Sequence, residues 1–205
     1  MYKNFRIPIE IAIDHRLSVA EICDTERVIE KIFVAEGFQI DRFSEWTRPD
    51  RTLSLAERVE EVLGDGLLDF DVFGFAEFSV AVTQFAVVFE LEDANMCALT
   101  CSLDRLLSFI RVLFLGFEGD RVLIAPEEPS VIADIKEMSC EPMDVASIEA
   151  FNFREYGISP QGLSSLKAYF GLSSDERLGQ KKDFYFSVSR EEFFGADGYR
   201  IRRPP

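Results

Sequence analysis

The sequence contains one histidine, His15, which lies between Asp14 and Arg16. A Ser-His-Asp or Cys-His nucleophile system would have to use this histidine as its base. The sequence has no G-x-S-x-G turn and no cysteine in a context typical of such enzymes. We therefore interpret His15 as a residue at the edge of a loop, beside a carboxylate, rather than as a catalytic base.

The four cysteines are the next candidates, because thiolates bind zinc. Cys97 and Cys101 are close in the sequence, whereas Cys23 and Cys140 are far from them and from each other. Structural zinc sites usually combine two close pairs, or one pair with histidines. This spacing predicts reduced thiols that act as small apolar residues, with no metal and no cofactor.

Motifs that bind phosphate are absent: there is neither a G-x-G-x-x-G nor a G-x-x-x-x-G-K-[ST] segment. Asp134 and Lys136 match the D-x-K half of a metal-dependent nuclease motif, but the best upstream partner, Asp50, is remote in the sequence. No active site is predicted from this tripeptide.

Carboxylates are abundant, and they are densest in one acidic region that also carries the single tryptophan. No EF-hand order of calcium ligands occurs there. One interpretation is a solvated surface. The other is a binding surface for a cationic partner, with the tryptophan as an aromatic anchor. The candidate partner-binding residues are Glu45, Trp46, Asp50, Glu57, Glu60, Glu61, Asp65, Asp69 and Asp71.

The overall charge restricts the kind of partner. The chain has 22 basic and 37 acidic residues, a net charge of −15. Nucleic acids and anionic membranes are held through Lys and Arg, so neither is expected as a partner. A basic protein is compatible with this charge. The start of the sequence does not resemble a secretory signal, and no apolar segment is long enough to span a membrane, so a cytoplasmic location is expected.

Hydrophobic periodicity predicts an α+β fold: one mostly antiparallel sheet packed by one layer of helices, rather than a doubly wound α/β fold. Alternation from Phe5 to Ile13 predicts a strand with one buried face and, because of Pro8, a free edge. Further strands are predicted at 68–72, 78–82 and 85–91, with a turn at Thr83-Gln84, and later at 121–125 and 184–188.

Capping boxes (S-x-x-E) at Ser18, Ser54 and Ser189 predict three helix starts. The first helix is expected to continue through Cys23 to Phe33 with Val19 inward, and the second to turn Leu55 inward and to stop at 64–66. The segment 41–50 is expected to be a polar connection. The best amphipathic pattern, from Ser102 to Phe114, predicts the central core helix. Ser159 and Pro160 are expected to open a later helix that closes at Gly171.

We expect one domain over residues 1–205, with a subdomain boundary near 126–129 and a loose basic tail at 199–205. The preferred functional hypothesis is a non-enzymatic binding domain, such as an acidic inhibitor or an immunity-type protein for a basic partner, for example a toxin. Two alternatives remain: an enzyme or small-ligand domain with a site of dispersed carboxylates, and a structural or adaptor subunit.

Overall fold

Six helices and a seven-stranded sheet form the part of the chain that the structure describes, so the α+β class is confirmed. The computed structural model describes residues 9–38, 40–43, 52–65, 67–72, 76–92, 103–126, 161–172, 176 and 185–195. The strands are β1 (Ile9–Asp14), β2 (Ile40–Phe43), β3 (Leu67–Val72), β4 (Ala76–Val82), β5 (Ala86–Glu92), β6 (Arg121–Pro126) and β7 (Phe186–Ser189). The helices are α1 (Val19–Ile22), α2 (Thr25–Ala35), α3 (Leu55–Asp65), α4 (Leu103–Gly116), α5 (Leu163–Gly171) and α6 (Arg190–Gly195).

β1 is an interior strand of the sheet. The strand order is β2-β3-β4-β5-β1-β6-β7, and each adjacent pair is antiparallel. Ile11 pairs with Phe89 of β5 on one side and with Ile124 of β6 on the other. The expectation of a free edge is therefore wrong for the described part of this strand, while Pro8 itself lies outside the described residues.

The main core lies between one face of the sheet and the helices α2 and α4. Phe89 of β5 contacts Phe33 of α2 and Phe109 of α4, with ring centroids 6.4 and 5.5 Å apart. Ile110 and Leu113 of α4 are fully buried in the same cluster. The prediction that α4 is the central core helix, packed together with the first strand, is confirmed.

The second face of the sheet is also covered at its centre. Ala12 is fully buried, although the alternation of β1 predicts only one buried face. Its neighbours in the register, Val88 and Leu123, are fully buried too, and Ala81 continues the row beside Val88. Because the side chains at these positions are small or aliphatic, β1 can be buried on both faces of the sheet.

The first predicted helix is divided into α1 and α2. The capping box at Ser18 is present, because the Ser18 N–H donates to the Glu21 carboxylate at 2.8 Å. Where the two helices meet, the buried Thr25 hydroxyl donates to the Ile22 carbonyl at 2.7 Å, so a side chain satisfies this carbonyl at the end of α1. The prediction of one continuous helix is therefore wrong, and Val19 is 49% exposed rather than inward.

β2 (Ile40–Phe43) overlaps the start of the segment 41–50 that was expected to be a polar connection. Its register against β3 shifts between Ile40 and Arg42, which marks a bulge. A bulge removes the strict alternation by which a strand is recognised in a sequence, so this edge strand has no clear periodic signal.

α5 begins at Leu163, and its N-terminal cap comes from another helix. The Glu192 carboxylate of α6 accepts the Leu163 N–H at 2.7 Å. Gly162 permits this approach, because a Cβ at that position would collide with Glu192 Oε1. The capping box at Ser189 is thus only half confirmed: Ser189 Oγ accepts the Glu192 N–H, but the carboxylate serves α5.

Other predicted elements are confirmed within small shifts of their ends. The strands β3 to β7 lie where the alternation predicts them, and Thr83 begins the turn between β4 and β5. α3 ends at Asp65, within the predicted stop at 64–66. Some predictions concern residues that the structure does not describe: Phe5–Pro8, Ser102, Ser159, Pro160, the connection after Pro126, the tail at 199–205, and Cys97, Cys101 and Cys140.

Candidate functional site: an acidic helical surface

α3 presents its carboxylates to solvent. Val62 is buried in the core, and Val59 and Leu63 are partly buried against it, which leaves Glu57, Glu60 and Glu61 exposed, as predicted. Leu55 differs from the prediction: it is 43% exposed, in the first turn of the helix, rather than buried in the core.

α1 lies against α3 and adds to this surface. It exposes Glu21 and Val19, while Ile22 is buried in the core. Neither helix exposes a basic side chain, since the only basic residue of the two, Arg58, is half-buried. We call the exposed acidic and large apolar residues of these two helices the acidic helical surface: Val19, Glu21, Leu55, Glu57, Glu60 and Glu61.

Two of the four carboxylates also hold their own helices. The Glu57 carboxylate accepts the Ser54 N–H at 2.8 Å, and Ser54 Oγ accepts the Glu57 N–H at 3.3 Å. Hydrogen bonds with the Ser54 side chain and then with its N–H lower the pKa of Glu57. The pKa of Glu21 is lowered in the same way by Ser18. Glu60 and Glu61 are therefore the carboxylates that can be changed without removing a helix cap.

The structure does not describe the side chains of the other predicted partner-binding residues. Asp65 ends α3, and Asp69 and Asp71 lie in β3. In the register of β3 with β4, Asp69 pairs with Ser79 and Asp71 pairs with Glu77. Glu45, Trp46 and Asp50 lie outside the described residues. Among the nine predicted residues, Glu57, Glu60 and Glu61 are those whose side chains the structure describes, and it places all three exposed on α3.

A second polar cluster lies at the end of β1, where side chains fix the loop between α4 and β6. The Asp14 carboxylate accepts the Asp120 N–H at 2.9 and 3.0 Å and the Arg121 N–H at 2.6 Å. Arg190 donates to the carbonyls of Phe114 and Gly119 and lies over the Phe194 ring. These groups are occupied by main-chain atoms, which is a structural role rather than a catalytic one.

His15 is engaged at both ring nitrogens in this cluster. Its Nε2 lies 3.1 Å from the Thr83 carbonyl, and its Nδ1 accepts the Leu17 N–H at 3.2 Å. Neither nitrogen is available as a general base. This agrees with the interpretation of His15 as a loop-edge residue beside Asp14.

Sequence reasoning missed the roles of Asp14, Arg190 and Glu192. Each of these side chains bonds to main-chain atoms that are between 29 and 107 positions away in the sequence. A local pattern contains no signal for such contacts, although the capping-box motif at Ser189 did single out Glu192.

In the described part of the chain, no group of three or more His, Cys, Asp or Glu side chains is placed to hold a metal ion. None of the described helices is long and apolar enough to cross a membrane. Comparisons with protein-family models, curated proteins and solved structures gave no match. Function must therefore be argued from the geometry of the acidic helical surface.

Proposed function

We propose that this chain is a non-enzymatic protein-binding domain that recognises a basic partner through the acidic helical surface. The observation that carries the proposal is the arrangement of α1 and α3: two adjacent helices expose four carboxylates and two large apolar side chains, and no exposed basic residue lies on either. Such a mixture suits a protein interface, where apolar contacts give affinity and charges give partner choice.

The neighbouring helix α2 shows that this imbalance is local. Its exposed and half-exposed charges are mixed: Glu26 and Glu30 alternate with Arg27 and Lys31. A general excess of acid for solubility would be expected to reach this helix as well. The concentration of carboxylates on α1 and α3 therefore supports recognition over solubility alone.

The partner class follows from charge complementarity. A protein that binds nucleic acid must carry a cationic surface, and an acidic inhibitor can occupy that surface. We therefore propose an inhibitor or immunity-type role, with a basic target such as a nuclease-type toxin. The net charge of −15 would accelerate such an encounter at low ionic strength.

Zero-length cross-linking tests this proposal. A tagged chain is incubated with lysate of its native host and treated with a carbodiimide, which joins a carboxylate to a partner lysine as an amide. Mass spectrometry then reads the joined positions. We expect partner lysines on Glu60 and Glu61.

Glu30 of α2 and Glu191 of α6 provide the matched control, because both are exposed carboxylates on other helices. Cross-links at Glu30 and Glu191 as frequent as those at Glu60 and Glu61, or no captured protein of basic isoelectric point, would contradict the proposal.

A further inference from the structure

His15 connects two parts of the fold that are far apart in the sequence. Its Nε2 contacts the carbonyl of Thr83 in the β4–β5 turn, and its Nδ1 accepts the N–H of Leu17, just before α1. A carbonyl can only accept, so Nε2 carries the hydrogen, and Nδ1 must keep its lone pair to accept from Leu17. The two bonds together select the neutral Nε2–H form of the ring.

The Thr83 side of this connection is firmly held. The Thr83 N–H donates to the Ala86 carbonyl at 2.8 Å, and Thr83 Oγ1 accepts the Ala86 N–H at 2.9 Å. Thr83 is also buried. The turn therefore serves as a fixed anchor for the imidazole ring.

The Leu17 side is much less secure. α1 has only four residues, and its main-chain helical bonds run from Ile22 to Ser18 and from Cys23 to Val19. A single helical turn is not stable by itself, so its position depends on its entry and on the packing of Ile22. Two main-chain bonds hold the residues before it, from the His15 N–H to the Phe85 carbonyl and from the Arg16 N–H to the Phe117 carbonyl, and the Leu17 N–H bond to the His15 ring is the last contact of that entry before α1.

Few ionisable groups on the surrounding elements can offset a charge on the ring. The Asp14 carboxylate is nearest in sequence, but the N–H groups of Asp120 and Arg121 already occupy it. Asp120, on the loop before β6, is paired with Arg16 at 2.6 Å. Glu118 of that loop and Glu21 of α1 are exposed, and Ser18 engages Glu21. The turn at 83–85 carries no ionisable side chain.

We propose that His15 is an acid-sensitive latch for α1: the neutral ring fastens the start of the helix to the β4–β5 turn, and protonation releases it. A protonated ring carries N–H groups at both nitrogens, so Nδ1 can no longer accept from Leu17 and two donors face each other. The sheet and α4 have no such bond to the ring, and they remain in place when α1 loosens.

The direction of the pH effect follows from burial. Burial lowers the pKa of His15 from its ordinary value of 6.5, and this outweighs the Thr83 bond and the Asp14 charge, which raise it. The latch is therefore closed at neutral pH and opens on acidification below about pH 6.5. Since α1 is one of the two helices of the acidic helical surface, a pH effect on partner binding would follow, and that consequence alone rests on the proposed function.

NMR spectroscopy on the free protein tests the latch without any partner. Long-range correlations from the imidazole protons to both ring nitrogens report the tautomer and the titration of the only histidine. Amide hydrogen exchange, expressed as protection relative to an unstructured chain, reports α1 through Leu17, Ile22 and Cys23. We expect the Nε2–H tautomer at pH 7.5 and, as the ring becomes protonated on acidification, a drop of about three- to tenfold in protection of these amides, as the loss of one hydrogen bond predicts. Protection in α4 should stay constant.

His15→Gln is the matched variant, because its amide can donate and accept but does not titrate. In this variant the pH dependence of α1 protection should disappear. An equal drop in α1 and α4, or a pH dependence that survives in His15→Gln, would overturn the proposal. If the variant does not fold, the native protein decides: a Leu17 amide that titrates with a midpoint different from that of the ring would refute the latch.

Discussion

Gly116, the last residue of α4, allows α4 to approach α2 closely. A Cβ at this position would lie 2.6 and 2.8 Å from Cγ1 and Cδ1 of Ile32, and closer still to Cγ2. Ile32 is buried and β-branched, so its rotamer is restricted in the helix and it cannot simply turn away. Gly116→Ala should therefore push α2 from α4 and strain the nearby Glu36–Arg111 ion pair.

Two opposing contributions determine how Gly116→Ala changes the free energy of unfolding. Overpacking of a core costs about 1–3 kcal/mol. Alanine in place of glycine in a helix stabilises by about 0.5–1 kcal/mol, and by less at the helix end. We expect Gly116→Ala to lower the free energy of unfolding by about 1–2 kcal/mol.

Ile32→Ala supplies the decisive control. It costs about 2–5 kcal/mol by itself, but it removes all three clashing atoms. In that background, Gly116→Ala should be neutral or stabilising. Urea denaturation followed by circular dichroism gives the four free energies of a double-mutant cycle. A Gly116→Ala variant as stable as the native protein, or one destabilised equally in both backgrounds, would refute the packing argument.

Three further predictions use stability as the readout. Ile110→Ala, at a fully buried position of α4, should lower the free energy of unfolding by about 2–5 kcal/mol, and an unchanged urea midpoint would contradict the core assignment. Glu192→Ala should cost about 0.5–2 kcal/mol and reduce exchange protection in α5, because Leu163 loses its cap; Glu192→Gln, which keeps an acceptor, should cost less. The pKa of His15 is lowered in the folded state, so its contribution to stability is complete above pH 6.5 and is lost as the pH falls through the folded-state pKa. The slope of stability against pH should therefore be smaller in His15→Gln.

Most elements of the fold follow from local sequence patterns. The strands β3, β4 and β5 and the helix α4 keep their period over enough residues to be recognised. The capping boxes at Ser18 and Ser54 mark the starts of α1 and α3, because the motif satisfies the first main-chain donors of a helix locally.

The misassigned elements depend on contacts or irregularities that have no periodic signal. A bulge interrupts the alternation of β2, and the break between α1 and α2 carries a bond from the Thr25 hydroxyl to the Ile22 carbonyl that no periodic pattern announces. The start of α5 depends on Glu192, which is 29 positions away. The interior position of β1 depends on its pairing with β6, which a local pattern does not encode.

The candidate site was accessible from the sequence only in part. The helical period turns Glu57, Glu60 and Glu61 outward, as found. It does not show that α1 lies beside α3, nor that Val19 and Leu55 are exposed on these two helices. The capping-box motif, rather than the helical period, distinguishes Glu57, which caps its helix, from Glu60 and Glu61.

The central claim is that the acidic helical surface meets a basic partner, and association kinetics with the captured partner test it most directly. Glu60→Lys/Glu61→Lys should slow association by roughly tenfold at low ionic strength and weaken its salt dependence. Glu30→Lys/Glu191→Lys, with the same change in net charge, should slow it much less, and thermal melts should show that both variants fold. Equal association rates for the two variants would contradict the claim and leave the carboxylates of α3 as a solvated helix surface.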